Sequence, residues 1–191
     1  MTAPDVRLSG TPTPSDLAAA LADAETRVAT YFSALPDEVF FAGSDERWSP
    51  AHHLLHLTLA HRPLTGGLRL PRVALLAASG RTDRASRSYT EMQSTYRAAL
   101  GAGGKASGRY LPALNGQTRA ALVSDFRQAS RELRAALAGW PENDLNTYLL
   151  PHPILGKLTV REMLYFSVYH QYHHLNGVRS SVRPQESESE Q

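Results

Sequence analysis

Apolar residues spaced three and four apart recur in four separate stretches, and that rhythm commits the chain to amphipathic helices that must bury one face each. The clearest stretch is Leu122, Phe126, Ala129, Leu133, Ala136 and Trp140, with charges between them and Gly139 near its end. An earlier one, Leu17, Leu21, Ala24, Val28, Phe32 and Leu35, follows Thr13-Pro14-Ser15-Asp16. That tetrapeptide reads as a helix start, with Thr13 as N-cap, a proline at the first helical position and an acid placed well for the helix dipole. Pro36 ends the segment. A further helix starts at Ser49-Pro50, puts Leu55, His56, Leu59 and Ala60 on one face, and is expected to be interrupted by Pro63 and Gly66-Gly67. The last opens at a capping box, Thr159-Val160-Arg161-Glu162, and runs to about Arg179.

Between Leu64 and Gln117 no single period persists, yet a structureless connection of that length is unusual inside a compact domain. Ser88-Tyr89-Thr90-Glu91 has capping-box spacing, Met92, Tyr96 and Leu100 continue a stripe, and Gly101 stands where a C′ glycine belongs. The run Gly101-Ala102-Gly103-Gly104-Lys105-Ala106 lacks the first glycine, the final Ser/Thr and the preceding strand of a phosphate loop, so it reads as a plain loop. No repeat and no alternating strand pattern emerges. The expected fold is therefore all-α: a four-helix bundle with a long, partly helical connection between its second and third helices. One domain over 13–180 is expected, between a flexible N-terminus (1–12) and a disordered, acidic, Ser/Glu-rich tail (181–191).

Composition narrows the function classes. No apolar run approaches the roughly 18 residues of a membrane span. The chain has no cysteine, which removes disulfides, thiolate ligands and a cysteine nucleophile. The N-terminus lacks a basic region followed by an apolar stretch, so a cytoplasmic location fits. A formal net charge of +2 is too small to indicate nucleic-acid binding without a localised basic face.

Histidine placement carries the chemical signal. In the last helix Val160, Met163, Ser167, His170, His174 and Val178 follow core spacing, so two imidazoles interrupt an apolar seam one turn apart. An i,i+4 pair can grip a metal ion through two nitrogens, or can simply be two hydrogen-bonded core histidines. His56, on the inward face of the second helix, is the candidate third ligand. Three histidines with no fourth protein ligand leave room for water or substrate. Competitors read more weakly: His52 occupies the capping-box position after Ser49 and is expected at the surface, and His53 and His61 are weaker still. His173 lies about 100° around the helix from His174, where it can serve a surrounding shell or the substrate. His152, between Pro151 and Pro153, reads as a loop residue or as one facing a ligand.

Trp48-Ser49-Pro50 followed by His56, His152-Pro153-Ile154-Leu155-Gly156-Lys157-Leu158-Thr159, and His170-Gln171-Tyr172-His173-His174-Leu175 together resemble the DinB/YfiT-like superfamily, from about Pro14 to Arg179. The resemblance implies a bundle with a three-histidine metal site whose ligands here are His56, His170 and His174. Two positions depart from the pattern, His52 in place of an acid and Gln171 in place of an acidic or other polar residue. Characterised members imply one divalent ion, zinc or nickel, and activities that include bacillithiol- or mycothiol-dependent transfer, a mycothiol-dependent isomerase and metal-dependent hydrolysis. A stress or detoxification role and a homodimer are implied in the same way.

The leading expectation is thus a metal-dependent transferase for a low-molecular-weight thiol, with a hydrolase and a non-catalytic metal-binding protein as alternatives. Gln171 after the first histidine speaks against the H-E-x-x-H protease motif, and no G-x-S-x-G elbow is present. Between Arg62 and Arg87 six arginines face one acid, Asp83. Arg62 and Arg69, soon after His56, are the candidates to contact a carboxylate or phosphate on a thiol or substrate, the alternative being ordinary solvated charge. No nucleic-acid or membrane partner is expected.

Overall fold

The computed structural model describes residue 8 and residues 10–44 and 47–182. Its first helix, α1 (Pro14–Ala34), begins as the capping pattern requires: Thr13 Oγ1 accepts the Asp16 N–H, and Asp16 Oδ2 accepts the Thr13 N–H at 2.9 Å. A short α2 (Asp37–Phe40) follows. In α3 (Pro50–Arg69) the box is closed by His52, whose Nδ1 lies 2.7 Å from Ser49 Oγ. His52 is therefore half-buried and does the work of a capping glutamate, rather than standing free at the surface.

Pro63 and Gly66-Gly67 do not interrupt α3. Leu64 and Leu68 are buried on the face that already carries Leu54 and Leu57, and that packing outweighs a proline's cost of about 3 kcal/mol. Gly67 serves a close approach, since a Cβ there would sit 2.7 Å from Leu150 Cδ2.

The connection to the next long helix holds α4 (Arg72–Ser79), α5 (Tyr89–Gly101) and a single 3-10 turn, Gly108–Tyr110. Ser88 and Glu91 form the expected box at the start of α5. Gly101 stays inside the helix, and the chain turns instead at Gly103, whose φ of +91° suits a residue without Cβ. Then come α6 (Arg119–Leu137), α7 (Glu142–Thr147) and α8 (Val160–Val182). Helices α1, α3, α6 and α8 pack as the bundle, α1 and α3 each touching both α6 and α8, while α5 lies on the outer side of α8. The all-α bundle with a partly helical connection is thus the fold. Of the ends expected to be flexible (1–12) and disordered (181–191), residues 1–7, 9 and 183–191 lie outside the described residues, while Ser181 and Val182 belong to α8 instead of the tail.

One element has no counterpart in the periodicity: a hairpin of β1 (Leu149–His152) and β2 (Gly156–Thr159), paired Leu149↔Thr159 through His152↔Gly156. Its turn is closed by Gly156 at φ +71° and by His152 Nδ1, which accepts the N–H groups of Ile154 and Leu155 at 3.3 and 3.2 Å. Strands of four residues stand at the lower limit at which alternation can be seen.

From Val160 to Tyr172 every residue of α8 is buried. Polar side chains on such a helix need partners or a purpose. Glu162 takes Arg84 through both carboxylate oxygens at 2.6 Å and the backbone N–H groups of Arg87 and Thr159 at 2.9 Å. Burial raises its pKa, but these donors outweigh that and hold it below the ordinary carboxylate value. Arg161 reaches the Pro12 carbonyl and Asn146 Oδ1. Among the described residues the ring nitrogens of His170 and His174, by contrast, meet only other histidine nitrogens.

Candidate metal centre

Nε2 of His170 lies 3.2 Å from Nε2 of His56 and 2.9 Å from Nε2 of His174. Helix α3 supplies one ring and α8 supplies two from successive turns, so the site is built by the face-to-face packing of the bundle's helices. The three histidines are at most 8% exposed. They form a group whose ligand atoms all lie within 4.8 Å of one another.

Outer partners fix which nitrogen each ring presents. His56 Nδ1 is 2.7 Å from the Tyr110 carbonyl oxygen, which can only accept, so His56 donates there and Nε2 keeps its lone pair. His174 Nδ1 is 2.7 Å from His53 Nδ1, so one of that pair donates. Burial, and then the neighbouring imidazoles, hold the pKa values of His170 and His174 well below that of an ordinary histidine. Burial also lowers that of His56, partly offset by the Tyr110 carbonyl. The rings are neutral at pH 7, and His170 Nε2 has at most one proton to share between two close nitrogens. A cation placed among them relieves the remaining lone-pair repulsion. Ligands at 2.0 to 2.1 Å on adjacent positions of a metal stand roughly 2.8 to 3.4 Å apart, and the two measured separations fall in that range. The donor set therefore fits a divalent ion.

Trp48 packs over this cluster, its ring 5.0 Å from His56 and 6.4 Å from His174, stacked on the latter. Beyond His56 and His170 opens a cavity of about 350 Å³, within the range of small-molecule sites. Leu64, Leu75, Leu150, Ile154, Met163 and Phe166 give it largely apolar walls, and Tyr96 and His152 also face it. Burial, then the neighbouring Tyr169, pushes the Tyr96 hydroxyl up to about 12, so it stays protonated.

The other histidines separate by role. His53 backs His174, and its own pKa is held down to about 4, by burial first and by His56, His173 and His52 after it. Its only sequence signal was its place three residues before His56. The Tyr110 carbonyl had no signal, being a backbone group 54 residues away. His61 lies outside the cluster, against Phe126 and Ser130 of α6. His173 is half-buried with its ring 5.6 Å from Tyr96 and is not one of the clustered three.

Arg62 and Arg69 are exposed, and neither lines the cavity; Arg69 lies 3.8 Å from Glu132 on α6. Helix α3 turns both outward, because its inward face is already taken by His56, Leu64 and Leu68. The cations on the cavity wall are Lys105 and Arg109, from the loop after α5.

Among the described residues no helix is long and apolar enough to cross a membrane. Neither the curated proteins nor the solved structures contain a match to this chain. Residues 11–177, which take in α1, α3, α6, most of α8 and the three clustered histidines, match the DinB superfamily, and the chain belongs to that superfamily.

Proposed function

We propose that this chain is a metal-dependent enzyme that joins a low-molecular-weight thiol to an electrophile, with His56, His170 and His174 holding one zinc or nickel ion. The observation that carries this reading is that His56 and His170 are at once members of the cluster and part of the cavity wall. A structural site closes its coordination with four protein ligands, whereas three on one side leave the other side to substrate. The chain contains no cysteine, so the sulfur comes from a small molecule.

A divalent ion bound there supplies Lewis acidity, which favours the thiolate form of a thiol at neutral pH. The protein's own groups do the rest. Tyr110 and His53 hold two of the rings in one tautomer and plane. The apolar walls exclude water from the reacting groups. Lys105 and Arg109, exposed where the cavity meets solvent, suit the carboxylates of a thiol such as bacillithiol. The thiol gives up its proton to solvent, its sulfur pair forms the S–C bond, and the leaving group departs from the electrophile with its bonding pair.

Metal-loaded protein incubated with monochlorobimane and, in turn, bacillithiol, mycothiol, glutathione and cysteine tests the proposal by bimane fluorescence. A rate above the protein-free reaction with at least one thiol is expected. Tight metal binding with no rate for any thiol would overturn transfer in favour of a non-catalytic metal protein. Thiol-independent cleavage of p-nitrophenyl acetate, without conjugation, would replace it with hydrolysis.

A further inference from the structure

His152 ends β1 with a ring whose two nitrogens have different tasks. Nδ1 accepts the backbone N–H groups of Ile154 and Leu155, and since both groups can only donate, Nδ1 carries the lone pair. The proton of the neutral ring is therefore on Nε2. Burial holds the pKa down to about 4, so the ring is neutral at pH 7. Among the described residues no acceptor meets Nε2–H, and this nitrogen is not sealed within the packed core.

The surroundings define what that N–H can meet. His152 is 9% exposed, its ring packs edge-on to Phe166 at 4.4 Å, and it lines the same cavity as His56 and His170. Among the described residues no acidic side chain lines the cavity to accept from that N–H. Once a bound molecule displaces solvent from the cavity, a donor left unpaired against apolar surroundings is unfavourable, so a ligand that brings an oxygen gains over one of the same shape without it.

We infer that the cavity binds a mainly apolar molecule carrying one oxygen acceptor, and that His152 Nε2–H donates to that oxygen and positions the substrate. This rests on the metal-enzyme reading for the purpose of the cavity, but the binding itself requires neither turnover nor thiol.

Two fluorescent probes of nearly equal shape, 2-acetylnaphthalene and 2-ethylnaphthalene, separate the oxygen from the apolar body. Titrated into the full-length protein at pH 7.5, the ketone should bind about fivefold more tightly, the scale of one net hydrogen bond. The preference should persist in zinc-loaded and in metal-free protein, because the donor is the protein's own. His152→Asn keeps a side-chain oxygen for the two turn N–H groups, while its shorter amide N–H2 no longer reaches the position of the imidazole Nε2–H. It should abolish the preference while leaving 2-ethylnaphthalene affinity within twofold. Failure of both probes to bind, equal affinities in the native protein, or a preference that survives His152→Asn would each overturn the inference. A preference seen only with zinc would overturn it as well, by assigning the oxygen to the metal. Loss of thiol transfer in the bimane assay would overturn the proposed reaction and leave this result standing.

Discussion

Nδ1 of His53 lies 2.7 Å from Nδ1 of His174, a ring on another helix 121 residues later in the chain. If Nε2 of His174 faces the proposed ion, its Nδ1 carries the proton and donates it to His53 Nδ1. That bond would then set the tautomer and the ring plane of a proposed ligand, a task usually given to a carboxylate or a backbone carbonyl. His53→Ala is expected to weaken zinc affinity by about 10- to 100-fold while one site per chain remains. Competition against a fluorescent chelator measures this, and an unchanged affinity would mean that the Trp48 packing alone orients His174.

His61 provides a pH-dependent stability term separate from the metal. It is 2% exposed, stacked on Phe126, with Nδ1 3.2 Å from Ser130 Oγ. Burial first, and the Arg134 charge second, hold its pKa down to about 4. The unfolded chain takes up this proton near pH 6.5, whereas the folded chain refuses it until about pH 4. The unfolded state binds more protons across that window, so stability falls as pH drops through it, by roughly 2 kcal/mol at pH 5. Urea unfolding at pH 7.5 and 5 should show a larger loss for the native protein than for His61→Leu, with metal content equal in both. Equal losses would contradict the assignment.

Charge at the cavity mouth belongs to the loop after α5. Lys105 and Arg109 line the cavity, whereas Arg62 and Arg69 do not. In the thiol assay Lys105→Ala and Arg109→Ala should raise KM for an anionic thiol severalfold more than for a neutral one, as expected for charge-assisted contacts. Arg62→Ala and Arg69→Ala should change neither. The reverse pattern would place the thiol's anionic group on the outer face of α3.

Much of this was legible from residue spacing, because helices repeat and capping boxes are local. The seam Val160, Met163, Ser167, His170, His174 pointed at the buried side of α8, and the Thr13 N-cap and the Ser88 and Thr159 boxes marked helix starts that the structure has. Features set by tertiary packing were not. The continuation of α3 through Pro63 depends on what Leu64 and Leu68 pack against, and the hairpin depends on the turn that His152 and Gly156 close. Proximity in sequence favoured Arg62 as a contact for substrate, but six residues beyond His56 an α-helix has turned about 240°, away from the cavity. Lys105 lay in a glycine-rich loop that spacing alone showed only to be no phosphate loop. His53 and the Tyr110 carbonyl act through contacts made across the fold, which no local pattern encodes.

The metal stoichiometry of the histidine cluster is the most direct test of the account. Apoprotein dialysed to equilibrium against zinc or nickel at pH 7.5, followed by elemental analysis, should hold one ion per chain. The His170→Ala/His174→Ala double variant should lose that ion, because one remaining imidazole cannot hold it. Unchanged stoichiometry and affinity in the double variant would contradict the assignment of His56, His170 and His174 as the metal centre.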